Sequence, residues 1–165
     1  MIKLFYIYPE IIPQKNAREI SVINTFYELS KICDAKLITP NLKSNIRELN
    51  EQFNVGLNNN NLVSLRKSIL FFKSTKIFNL NLLRTIKDPH NKNAIFYTRH
   101  LKVAKFLLHH KLKEQKVVFE AHECFSLQNN MLFDIEKYIL ENDKIRLSSQ
   151  KEELQQEKSN QEKIN

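Results

Sequence analysis

A single glycine, Gly56, serves all 165 residues, and tryptophan is absent. Backbone amides that cradle a phosphate need glycines for close approach. The scarcity agrees with the absence of a P-loop or a GxGxxG turn anywhere in the chain. A phosphate bound here would meet side chains or helix N-termini. Cysteine is almost as scarce: Cys33 and Cys124 have no metal-type spacing and supply no disulfide framework. Reduced thiols suit the cytoplasm. No apolar run approaches the ~20 residues that span a bilayer. The N-terminus, MIKLFYIYPE, goes straight into a strand-like run and lacks the cleavage site of a secretory signal. A cytoplasmic location is therefore expected.

Apolar residues make up 42% of the chain, which fits a domain with its own core. The net charge is +8. It favours an acidic partner: a nucleotide, a phosphorylated lipid, an anionic membrane or nucleic acid. Lysine drift in a Lys-, Asn- and Ile-rich chain accounts for the same total.

The runs IKLFYIY (2–8), AKLITP (35–40), AIFYTRH (94–100) and KVVFEAHE (116–123) read as strands. AREISVINTFYELSKI (17–32) and LKVAKFLLHHKLKEQ (101–115) read as amphipathic helices. A short helix is expected over 44–53, with Ser44 as its N-cap. The four asparagines at 58–61 mark an exposed loop. Residues 62–88 are helical in composition, with a break. The order β-α-β-α-(helical)-β-α-β predicts an α/β fold, a Rossmann-like parallel sheet flanked by helices. One domain over 1–147 is expected, with 148–165 as a polar tail, disordered or marginally helical.

Ligands of open parallel sheets bind outside the carboxyl ends of the strands. The ends here carry Tyr8 and Glu10, then Arg99 and His100, then Glu120, His122 and Glu123. Basic, acidic and titratable groups converge on one edge. Polar residues also end most strands because loops are wet, and Arg99 serves equally as a structural ion pair. Cys124 and His122 lie in one loop without the fixed geometry of a nucleophile and base. The HEC stretch is not HExxH, so no metal site is expected. His109 and His110 point to adjacent helix faces and read as surface residues.

Four segments carry a resemblance: IKLFYIYPE with its following loop and helix, AKLITP, AIFYTRHLKVAKFLL and KVVFEAHE. In order and spacing they resemble the acceptor-side lobe of glycosyltransferase family 4 enzymes, which have the GT-B architecture. The likeness covers residues 2–147. It implies that His122 reaches toward the transferred sugar as the catalytic residue. It implies that Glu10, Lys15, Asn16, Arg99 and Glu123 line the substrate cleft. The family often has glycines in the loop at Lys15, Asn16 and Ala17; this chain has none. The nucleotide-sugar donor would be a substrate, held mainly by a second lobe that the resemblance does not cover, with no other cofactor. Transfer would then depend on a separate donor-lobe chain, and a sugar or lipid-linked molecule would be the acceptor.

Residues 57–87 hold six cations and no acid. Lobes of this kind often sit on anionic membranes. An interfacial helix built on Leu62, Leu65, Ile69 and Phe72 would present Arg66, Lys67, Lys73 and Lys76 to the inner face of a membrane. A core-facing helix with a solvated basic side accounts for the same pattern. Two rival readings stand beside the transferase lobe: a non-catalytic basic binding module, and an inert gene fragment. Nucleic acid is the less favoured partner, because Phe71 and Phe72 sit at a spacing typical of core phenylalanines.

Overall fold

The run KLFYI has no polar face, so as a strand it is stable only with both sides covered. In the computed structural model it forms β1 (Lys3–Ile7), the middle strand of a five-stranded parallel sheet. Residues 2–13, 16–40, 45–65, 68, 69, 72, 73, 75–121, 134, 135 and 137–139 are described. The chain divides into two units, 1–122 and 123–165. In the second, residues 134, 135 and 137–139 are helical, and Ile135 and Ile139 are buried.

The first unit continues with α1 (Ala17–Ile32), β2 (Asp34–Pro40), α2 (Ile46–Phe53) and β3 (Leu62–Leu65). A two-stranded antiparallel hairpin follows, β4 (Ser68–Ile69) and β5 (Phe72–Lys73). Then come α3 (Thr75–Lys87), β6 (Ile95–Thr98), α4 (Leu101–His110) and β7 (Lys116–Phe119). The sheet order is β3-β2-β1-β6-β7, and every pairing in it is parallel. This is the Rossmann-like α/β fold read from the alternation of strands and helices.

Strand side chains alternate between faces, and the core divides accordingly. Leu4, Tyr6 and Tyr8 pack with Val22, Ile23 and Phe26 of α1 and Leu49 of α2. Phe5 and Ile7 pack on the other face with Phe78, Leu82 and Ile86 of α3 and Val103 and Leu107 of α4. Each such side chain contributes roughly 1.5–3 kcal/mol by leaving water. Phe5 stacks on Phe96 of β6 at 5.4 Å, so the two central strands also adhere through their rings.

Helix α1 begins where Asn16 Oδ1 accepts the Glu19 amide at 2.8 Å. Helix α2 starts one residue later than the sequence predicts: its cap is Asn45, whose side chain accepts the Glu48 amide, while Ser44 lies outside the described residues. Asn54 closes α2 in the left-handed conformation (φ 51°), which asparagine tolerates. The lone glycine has a packing role. A Cβ on Gly56 would lie 3.3 Å from the Tyr27 hydroxyl, so α1 and the loop after α2 approach closely there. The asparagine run forms a short capped turn over 59–61, and Asn61 donates to the Ala35 carbonyl.

The helical reading of 62–88 is corrected in its first part. Leu62–Leu65 is a strand paired with β2, and among the described residues of this stretch the α-helix is Thr75–Lys87. A short apolar run has no decisive period of its own, and the open edge of β2 supplies the pairing that a helix would forgo. The interfacial helix expected through Leu62, Leu65, Ile69 and Phe72 is therefore absent, since these residues divide among β3, β4 and β5. Helix α4 also ends earlier than expected, at His110.

At the amino end of the sheet, Gln115 is buried and ties three segments together. Its Nε2 donates to the carbonyls of Ile86 (2.7 Å) and Asn91 (2.9 Å), and its Oε1 accepts the Leu112 amide (2.7 Å). Gln115→Leu keeps the volume but strands these backbone groups. It should cost about 2–3 kcal/mol in urea unfolding; a loss within error of zero would show that water replaces the amide.

Candidate functional site

Strand β1 leads into α1 on one face of the sheet, and its neighbour β6 leads into α4 on the other. Their connections part at the carboxyl ends, which makes this the topological switch point where open α/β sheets bind ligands. Three strand exits meet there: Tyr8–Glu10 after β1, Arg99–His100 after β6, and Glu120 after β7.

Two buried threonines hold this edge. Thr39 Oγ1 donates to the Glu10 carbonyl at 2.6 Å, and Thr98 Oγ1 donates to the Ile7 carbonyl at 2.9 Å. Thr98 Oγ1 also accepts the His100 amide at 3.1 Å, which sets the turn into α4. The loop after β1 includes a cis Ile12–Pro13 bond, with Ile12 buried beneath it.

At the open side of this edge, Glu10 Oε2 accepts from the Tyr8 hydroxyl at 3.1 Å, and Glu10 Oε1 lies 3.6 Å from Arg18. The Glu10 side chain is 31% exposed and that of Arg18 62%. A carboxylate held this way keeps acceptor capacity toward solvent, beside an accessible guanidinium. Burial and the neighbouring Glu10 carboxylate both raise the Tyr8 pKa.

At the same edge, Arg99 and Glu120 form a bidentate pair, with Nε to Oε2 at 2.7 Å and Nη2 to Oε1 at 2.8 Å. The same guanidinium donates to Ser21 Oγ (2.7 Å) and Thr25 Oγ1 (3.1 Å) on α1. The Tyr97 hydroxyl donates to Glu120 Oε2. The Arg99 side chain is only 12% exposed. It therefore joins β6, β7 and α1 from within, and most of its donors are used there. The Tyr6 hydroxyl is buried without a hydrogen bond among the described residues, and desolvation raises its pKa. Tyr97 is pushed up to about 12, first by burial and then by its bond to Glu120.

Of the residues singled out from sequence, Glu10 and Arg99 lie at the switch-point edge, one open and one enclosed. Asn16 caps α1 beside it. Lys15, His122 and Glu123 lie outside the described residues, as do Arg66 and Lys67. Lys73 is in β5, and Lys76 is exposed on α3. Sequence reading passed over Tyr6, Tyr97, Ser21 and Thr25 as members of this cluster. Two small hydroxyls four apart on one amphipathic helix were the available signal for the last two. Among the described residues no three His, Cys, Asp or Glu side chains gather closely enough to hold a metal ion, and no helix is long and apolar enough to cross a membrane. Comparisons with protein-family models, with curated proteins and with solved structures each return no match.

The raised tyrosines have a measurable consequence. Native Tyr6, Tyr8 and Tyr97 hold their protons above the ordinary value near 10, while the unfolded chain releases them there. Their stabilising contribution is complete below pH 10 and is lost as pH rises toward 12. Tyr97→Phe should flatten that alkaline decline in a denaturation series; an unchanged slope would assign the effect to other groups.

Proposed function

We propose that this chain is the acceptor-binding lobe of a glycosyltransferase of the GT-B architecture, similar to family 4. The observation that supports it best is the open end of the switch-point edge, where the half-exposed Glu10 carboxylate sits between Tyr8 and Arg18. A carboxylate beside a guanidinium and a phenol suits a polyhydroxylated acceptor, because sugar hydroxyls both donate and accept. In this reading Glu10 accepts from an acceptor hydroxyl and Arg18 fixes its neighbour. Arg99 positions the edge through Glu120 and does not touch substrate. His122, two residues beyond Glu120 in the chain, acts at the transferred sugar as the resemblance implies.

The leaving nucleoside diphosphate needs cations and dipoles to stabilise it, usually the largest catalytic contribution. In this reading a donor-binding lobe outside residues 1–165 supplies them, and the cleft between the lobes is the active site. Glu10→Gln should weaken binding of a saccharide or glycolipid acceptor about tenfold by titration calorimetry. Affinity capture of the tagged chain, followed by assay of the complex with radiolabelled nucleotide sugars, tests the reaction. Transfer that falls on the order of 100-fold in His122→Ala is expected. Acceptor binding indifferent to Glu10, together with a captured complex that transfers no sugar, would overturn the reading.

A further inference from the structure

The charge of the switch-point edge runs against that of the chain. The whole sequence carries +8 at pH 7. Among the described residues of the edge, three carboxylates, Glu10, Glu19 and Glu120, stand against two guanidiniums, Arg18 and Arg99. Arg99 is spent on Glu120 through the bidentate pair. That leaves Glu10 and the buried Glu19 beside Arg18. Around the Tyr8 hydroxyl the two carboxylates outweigh Arg18, which acts in the opposite direction.

Hydrogen-bonding capacity is one-sided at the same place. The Tyr8 hydroxyl spends its one hydrogen on Glu10 Oε2, so its oxygen keeps lone pairs and no donor. Glu10 Oε1 meets Arg18 at 3.6 Å, longer than a hydrogen bond. An ion pair that loose, with the Arg18 side chain 62% exposed, is worth little and gives way readily. Within the same cluster the Tyr6 hydroxyl is fully buried and makes no hydrogen bond among the described residues. It lies in the field of Tyr8, Tyr97, Arg99 and Glu120. Packing does not account for an unmatched hydroxyl there, because burying one is costly. The Tyr8–Glu10 corner thus offers oxygen acceptors and no hydrogen of its own, with the unmatched Tyr6 oxygen in the same cluster.

We propose that the acceptor held at this edge is an amino sugar, with its protonated amine seated on Glu10 beside Tyr8. The inference rests on the acceptor-lobe reading and names the class of molecule which that reading leaves open. An ammonium has three donors and no acceptor, the complement of this corner. With a carboxylate it forms the stronger, charge-assisted kind of hydrogen bond. A hydroxyl in its place gains less, and a phosphate or carboxylate would meet Glu10 and Glu19 as like charges.

Titration calorimetry of the full chain with two disaccharides of one shape tests this. They are chitobiose, a pair of linked glucosamines, and cellobiose, the same pair with hydroxyls in place of the amines. Chitobiose should bind on the order of tenfold more tightly. Long-range attraction cannot produce that preference, because the chain as a whole is cationic. Glu10→Gln should bring the two affinities within about twofold of each other. Arg18→Gln removes the competing cation and should widen the preference. Thr39 holds the loop through the Glu10 carbonyl and not its side chain, and circular dichroism checks that both variants fold. Equal affinities in the unchanged chain, or a preference that survives Glu10→Gln, would overturn this inference and leave the acceptor reading in place. Failure of chitobiose to bind would overturn it too; the acceptor reading would then be decided by sugar transfer in the captured complex.

Discussion

Everything in the first unit depends on covering β1 from both sides. Leu4, Tyr6 and Tyr8 need one helical layer, and Phe5 and Ile7 need another. A strand without a polar face cannot sit at a surface. The chain meets this by sending the connection from β1 to one face and the connection from β6 to the other. The same constraint that stabilises the sheet therefore opens it at one place, between the exits of β1 and β6. The candidate site is a by-product of the packing problem.

That opening is held by polar groups and not by apolar packing. Thr98 and Thr39 fasten the exits of β1 and β6 and the loop at Glu10 through buried hydroxyls. Arg99 ties β6 to β7 through Glu120 and to α1 through Ser21 and Thr25. A guanidinium with 12% exposure is tolerable because its charge is paired and its donors are satisfied. Arg99 is enclosed, whereas Glu120, Glu10 and Arg18 keep part of their surface toward solvent. The edge thus combines a clasp centred on the buried Arg99, which fixes the strands, with partly exposed charges beside it.

Charge is distributed by the same division into layers. Cations and acids both occur and pair on α1 and α2, whereas the exposed charges described on α3 and α4 are all basic. Among the described residues of the first unit, one helical layer is therefore balanced in charge and the other is basic.

The alternation of apolar runs and amphipathic stretches was enough to read the parallel sheet, the limits of α1 and the strands β1, β2, β6 and β7, because burial on both faces writes continuous apolar runs into the chain. It also brought Glu10, Arg99 and Glu120 to one edge, since parallel strands all exit the same way. It did not reveal β3. Leu62–Leu65 carries no decisive period, and its strand state comes from hydrogen bonds with β2, a partner more than twenty residues away. Nor did it separate Arg99 from Glu10. Both read as charged residues at strand ends, and only the tertiary structure encloses one and exposes the other, because Ser21, Thr25 and Glu120 converge on Arg99 from distant parts of the chain. Local pattern determines which segments must be buried; long-range pairing decides which polar groups they enclose.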